Sequence, residues 1–134
     1  MKNTSKLAIA TLALSMLFAT SAFAATAPFS GNLPANQGDT EISTVARANN
    51  ADVVEYFSIK VTSLGTGYTA VRAWTEGSAG GNYSSPYTEV QANSNWATPS
   101  YTSTPSKGTN ITLNLDNPVY TSSSVAVAGE WSPN

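Results

Sequence analysis

Beyond residue 24 no stretch of the chain repeats its apolar residues at the three-or-four spacing of a helix, whereas several stretches alternate apolar and polar residues. Such a pattern buries one face of a strand and offers no stripe along a helix. The cleanest case is Ile111, Leu113 and Leu115, which alternate with Asn110, Thr112 and Asn114. It follows a Pro105-Ser106-Lys107-Gly108 turn, and Asp116-Asn117-Pro118 stops it.

The same reading extends along the chain. Phe29, Gly31 and Leu33 predict a first strand ended by Pro34, with a turn at Asn36-Gln37-Gly38-Asp39. Thr40 to Arg47 fits either a second strand with Ile42 inward or a short helix. Phe57, Ile59 and Val61 form the apolar face of a strand predicted over Val53 to Val61. Leu64-Gly65-Thr66-Gly67 has the length of a hairpin turn into a strand from Tyr68 to Glu76, in which Val71 and Ala73 share one face and Tyr68, Arg72 and Trp74 the other, with either face able to be the buried one. The glycines of Gly77 to Asn82 predict a pliant loop at a sheet end. Pro86 and Pro99 predict short edge strands and irregular loops between Tyr83 and Tyr101, with Glu89-Val90-Gln91 paired. A last strand is expected from about Ser124 to Trp131, its Gly129 marking a bulge or a close backbone approach. The fold class predicted is all-β: an antiparallel two-sheet sandwich of about six to eight short strands, preceded by an N-terminal signal helix.

That leader is read from Lys2 and Lys6, an uncharged apolar stretch from Leu7 to Thr20, and the small-residue site Ala22-Phe23-Ala24. Its apolar residues occupy every face, which argues against an amphipathic helix. The run from Leu7 to Phe18 is shorter than the roughly 20 residues of a membrane span. Cleavage is expected after Ala24, leaving one domain over residues 25–134. With no cysteine for a lipid anchor and no later apolar span, a secreted, extracellular protein without stable membrane insertion is expected.

Composition narrows the chemistry. Residues 25–134 carry four basic residues, Arg47, Lys60, Arg72 and Lys107, against eight acids, a net charge of −4 that disfavours nucleic acid. There is no histidine and no cysteine, so Ser-His-Asp and Cys-His catalysis and imidazole or thiolate metal sites are excluded. No acidic calcium loop is present, and neither a metal nor a cofactor is expected. Two carboxylates suffice for a glycosidase, which brings in Glu55, Glu76, Glu89, Asp116 and Glu130. Scattered along strands and turns, they read as solvated acids, and a non-enzymatic protein is expected.

Aromatic residues in a background of hydroxyls and amides are the stronger signal, because such surfaces stack on sugar rings, although in small sheets aromatics more often fill cores. Trp96, between Asn95 and Pro99, is the leading candidate contact, with Tyr83, Tyr87 and Tyr101 beside it as ligand-binding residues. Trp131 is expected to be packed. Val-, Thr- and Ser-rich strands also raise edge-to-edge self-assembly, against which Pro residues and inward or edge charges at Lys60 and Arg72 would act.

Ala27-Pro28-Phe29 with Leu33 and Ala35-Asn36-Gln37-Gly38, the Lys107-Gly108 turn before Leu113 and Asn117, and the closing Val127-Ala128-Gly129-Glu130-Trp131 together resemble an uncharacterised family of short exported proteins of Gram-positive bacteria. In size, leader and β content the chain is more distantly similar to lactococcin-type all-β bacteriocins. The resemblance implies secretion and a β fold and assigns no functional residue. Three functions follow in order: binding at the cell surface, to cell-wall glycan or another surface protein; bacteriocin-like action on a neighbour's envelope; and self-assembly into an extracellular matrix. The sequence leaves the oligomeric state open.

Overall fold

The computed structural model describes residues 26–48 and 55–134. The expected leader lies outside these residues, as do Val53 and Val54 at the start of the strand predicted over Val53 to Val61. Among the described residues there are seven strands: β1 (Ala27–Leu33), β2 (Thr40–Ala46), β3 (Ser58–Leu64), β4 (Ala70–Gly77), β5 (Asn82–Gln91), β6 (Asn110–Asp116) and β7 (Val125–Ser132). They form two antiparallel sheets, ordered β1-β7-β3 and β2-β6-β4-β5.

β4 and β5 are neighbours in one sheet, β5 and β6 lie in that same sheet without being neighbours, and every other pair of successive strands changes sheets. This is the strand order of an eight-stranded jelly roll whose sixth strand is reduced. The reduced element lies beside β3, where Tyr56 bridges Ser100 and Ile59 bridges Ala97. The amides of Phe57, Ile59 and Ser94 donate to the carbonyls of Pro99, Ala97 and Val61. The outer edge of β3 is thereby covered rather than left as a template for another chain.

One apolar core lies between the sheets. Phe29, Leu33, Phe57, Ile59, Val61, Val125, Val127 and Trp131 enter it from the side of the three-stranded sheet, and Val71, Ala73, Val90, Ile111, Leu113 and Leu115 from the four-stranded one. Burying each of the larger of these side chains contributes about 1.5–3 kcal/mol. That gain must hold a chain with no disulfide.

The alternation seen in the sequence translates directly in β1 and β7, whereas in β6 the polar Thr112 and Asn114 are buried along with the apolar residues. Val125, Val127, Gly129 and Trp131 face inward, and the exposed or half-buried Ala126, Ala128 and Glu130 face out. Thr40–Ala46 is a strand, not a helix, and Ile42 packs against the core as expected. Gly129 is a close approach: β3 shifts register between Val61 and Ser63 opposite it. A Cβ at Gly129 would collide with the Lys60 carbonyl and lie 2.6 Å from the Phe29 ring.

The hairpin expected at Leu64–Gly67 is not formed. β3 pairs with β7 while β4 pairs with β5 and β6, so the turn is a corner that carries the chain from one sheet to the other. The Gly65 amide donates to the Ala126 carbonyl, and Gly67 supplies the left-handed φ of 91°. β5 is an edge strand as predicted, but at ten residues it is not short. Its register against β4 jumps from Thr88 opposite Ala73 to Ser84 opposite Thr75, a bulge in the edge strand.

Candidate ligand-binding face

The four-stranded sheet turns its apolar side to the core and a row of polar and aromatic side chains to the outside. Along β4 the outward positions are Arg72, Trp74 and Glu76; across β6 they meet Asp116, Asn114 and Thr112 respectively. Arg72 faces Glu89 of β5 on its other side. Thr112 shares a 2.8 Å hydrogen bond with Thr44 of β2.

Arg72 organises one end of this face. Its Nη1 lies 3.5 Å from Asp116 Oδ2, its Nη2 donates to the Pro118 carbonyl at 3.3 Å, and its guanidinium sits 4.6 Å from the centre of the Tyr87 ring. Tyr87 is 48% exposed, so the tyrosine is presented to solvent while the cation steadies it. Trp74 is mostly covered, and its indole N–H donates to Glu76 Oε1 at 2.9 Å. Arg72 thus lies neither inward nor on an edge strand, as the sequence had suggested; it is on the outward side of an interior strand because Val71 and Ala73 take the core side.

Polar side chains on this face are unusually enclosed. Asn114, Asp116 and Asn117 are 3%, 6% and 1% exposed. Among the described residues, the buried side-chain atoms without a hydrogen-bond partner are Asn114 Nδ2, Asp116 Oδ1 and Asn117 Nδ2, all within four consecutive residues. Burial pushes the Asp116 carboxyl up from its ordinary range; Arg72 opposes the rise and Asp39 adds to it. A buried polar group without a partner costs about 1–3 kcal/mol, so these three atoms are a local cost to the fold.

Next to these residues is a cleft of about 370 Å³. Residues 67–70 of the β3–β4 corner form one wall, residues 117–119 another, and Glu89 stands at the side shared with the face.

Comparison with family models, with curated proteins and with solved structures finds no match. The site must be read from its own chemistry.

The four aromatics selected from the sequence are not gathered in one place. Tyr87 stands on the outward side of the four-stranded sheet. Trp96, 47% exposed, lies over the other sheet, with Lys60 Nζ 4.9 Å from its ring centre and Lys60 paired to Glu130 at 2.5 Å. Lys60 therefore points outward from β3, not into the core. Tyr83 is half-buried against the core, and its carbonyl accepts from the amides of Thr102 and Ser103.

Tyr101 is a correction: it is buried, packed 5.9 Å from the Phe57 ring, and its hydroxyl donates to the Pro133 carbonyl at 2.7 Å. The guanidinium of the equally buried Arg47 lies 5.2 Å from its ring centre. Arg47 also donates to the carbonyls of Asn134 and Pro105, so Tyr101 belongs to a structural lock. Trp131 is fully buried, as expected.

Asn114 and Asn117 were missed from sequence, and Asp116, weighed there as a carboxylate and read as solvated, is buried. Asn114 read only as the polar half of an alternating strand, and nothing in that pattern distinguishes a solvated asparagine from one enclosed by Trp74 across the ladder. Among the described residues no group of three or more carboxylates gathers to hold a metal, and no helix is long and apolar enough to cross a membrane.

Proposed function

We propose that the chain is an exported, non-enzymatic binding protein whose ligand is extracellular glycan at a cell surface, held on the outward side of the four-stranded sheet. One observation carries this reading: the ring of Tyr87, 48% exposed, is held over the Arg72 guanidinium on an outward face, with Glu89 across the ladder from Arg72. Sugars suit such a surface. A hydroxyl both donates and accepts, so a sugar can bond to the Glu89 carboxylate while its C–H face rests on Tyr87. The absence of histidine and cysteine from the sequence favours binding over catalysis. The resemblance to short exported Gram-positive proteins fits the same compartment.

Self-assembly is the less favoured use of these sheets, because the outer edge of β3 is covered and β1 and β5, at two other edges, contain Pro28 and Pro86. The exposed pair Val119 and Tyr120 favours, as a second reading, apolar contact with a neighbour's envelope. Dye release from vesicles tests that second reading.

The test of the main reading is retention of the purified protein on whole bacterial cells and on insoluble peptidoglycan. Saturable retention is expected to fall about tenfold with Tyr87→Ala and to survive Trp96→Ala, which alters the opposite sheet. Loss with Trp96→Ala alone would move the site to the three-stranded sheet, and no retention on either material would refute a glycan ligand.

A further inference from the structure

We infer that Asp116 is a positioning residue for the glycan-binding face: it holds the Arg72 guanidinium on the β6 side of β4, and without its charge Arg72 turns to Glu89 and occupies the carboxylate that a sugar would use. The inference rests on the glycan-binding reading above and adds how that face is kept open.

Three charges lie in one row across three neighbouring strands. Arg72 of β4 stands directly opposite Asp116 of β6 on one side and Glu89 of β5 on the other. Residues opposite one another on one face of an antiparallel pair have Cβ atoms about 4.5–5.5 Å apart, within reach of an arginine from either side. Among the described residues, Arg72 is nevertheless ion-paired to Asp116 and not to Glu89. Both terminal nitrogens are engaged towards β6, Nη1 by Asp116 Oδ2 at 3.5 Å and Nη2 by the Pro118 carbonyl at 3.3 Å, and the Tyr87 ring lies over the guanidinium.

Glu89 is exposed, and its Oε1 accepts from Gln91 Nε2 at 3.2 Å. A carboxylate has about four lone-pair sites, so that bond leaves acceptor capacity for a sugar hydroxyl. A guanidinium fork would take a site on each oxygen and stand where the sugar approaches.

Asp116 is 6% exposed, and burial disfavours its ionised form, so the carboxylate costs the fold stability that an asparagine of the same shape would not. A residue serving only the fold gains nothing from that charge; what the charge does is fix Arg72. The other charged groups around it are acids: Asp39 just before β2, Glu41 of β2 opposite Asn114, and Glu89 beyond Arg72. Arg72 is the cation they share, and the carboxylate that loses its charge gives it up to another.

The experiment measures binding isotherms of the purified protein on insoluble peptidoglycan, at neutral pH and in steps down to 3.8, for the native chain, Asp116→Asn, Glu89→Gln and the double variant. At neutral pH Asp116→Asn is expected to weaken binding by about threefold to tenfold, the loss of one hydrogen bond to the sugar. Its denaturant midpoint should rise at the same time, whereas a merely structural carboxylate would move affinity and stability together. As pH falls towards 3.8 the native Asp116 takes up its proton and the two isotherms should converge; the peptidoglycan and the remaining acids titrate equally in both. Glu89→Gln keeps an amide oxygen to accept from the sugar but offers Arg72 no carboxylate, so in that background Asp116→Asn should lose most of its effect.

Equal affinities at neutral pH, an affinity ratio that does not change with pH, or an Asp116→Asn effect undiminished by Glu89→Gln would overturn the inference, while retention sensitive to Tyr87→Ala would leave the glycan-binding face standing. Weaker binding accompanied by a lower midpoint would assign the loss to misfolding and overturn it too. No retention of the native chain at any pH would remove both readings together.

Discussion

Trp131, on the central strand of the three-stranded sheet, donates its indole N–H to Ser43 Oγ of β2 at 2.9 Å, a hydrogen bond that crosses from one sheet to the other. The ring is fully buried, so its N–H has no water to turn to if the serine is lost. Ser43→Ala is expected to lower unfolding stability by about 1–3 kcal/mol in denaturant titration. A change below a few tenths would mean that the indole finds another acceptor.

Gly129 is a position where one methyl group decides whether the three-stranded sheet closes. Its missing Cβ would meet both the Lys60 backbone carbonyl and the Phe29 ring. Side chains can yield, but a paired backbone cannot without giving up the ladder. Gly129→Ala is expected to cost more than the about 1–3 kcal/mol of ordinary overpacking. The double change Gly129→Ala with Phe29→Ala should remain as unstable, since the carbonyl stays in place; recovery in the double variant would assign the crowding to the ring alone.

Tyr101 links stability to alkaline pH. Burial raises its phenol well above the ordinary value of 10.0, against the pull of Arg47. The native state therefore keeps the proton over a range in which the unfolded chain releases it, and stability falls as pH climbs above 10.0. Tyr101→Phe should cost about 0.5–1.5 kcal/mol at neutral pH through the lost bond to Pro133. The deficit should shrink above 10.0 because phenylalanine has no proton to lose. A deficit constant across the alkaline range would place the phenol in contact with solvent.

Asp116 acts in the same direction at the acid end. With its carboxyl held above the ordinary 3.8, mainly by burial, the folded chain binds the proton more tightly than the unfolded one. Stability attributable to this group is present below 3.8 and is lost as pH rises through the raised value. Relative to the native chain, Asp116→Asn should therefore gain stability as pH rises above 3.8, measured by denaturant midpoints at each pH. A variant that loses ground over that range would show that Arg72 outweighs burial.

Periodicity revealed the interior far better than the exterior. Ile111, Leu113 and Leu115 could be assigned to the core because burying one face of a strand imposes a period of two, and Gly129 could be flagged because few other reasons place glycine in a strand. What alternation cannot convey is which strand lies next to which. Leu64–Gly67 looked like a hairpin because its length allows one, and only the pairing of β3 with β7 turns it into a corner. The same gap hid the candidate site. Tyr101 and Tyr87 are indistinguishable as tyrosines among serines and threonines, yet one is packed against Phe57 and the other stands over Arg72. Asn114, Asp116 and Asn117 became visible only when neighbours distant in sequence enclosed them.

The centres of both sheets come late in the chain. β1 and β3 flank β7, and β2 pairs only with β6, so the strands that β1, β2 and β3 pair with lie in residues 110–132, and β3 gains besides only the bridges from residues 94–100. During synthesis the early half therefore has nothing in its own sheets to fold against, apart from whatever the local β4–β5 hairpin nucleates. Contacts this distant in sequence also form slowly. A polypeptide built in this order completes neither sheet until nearly all of it has emerged, an order that the proposed export through a channel threading unfolded chains would favour.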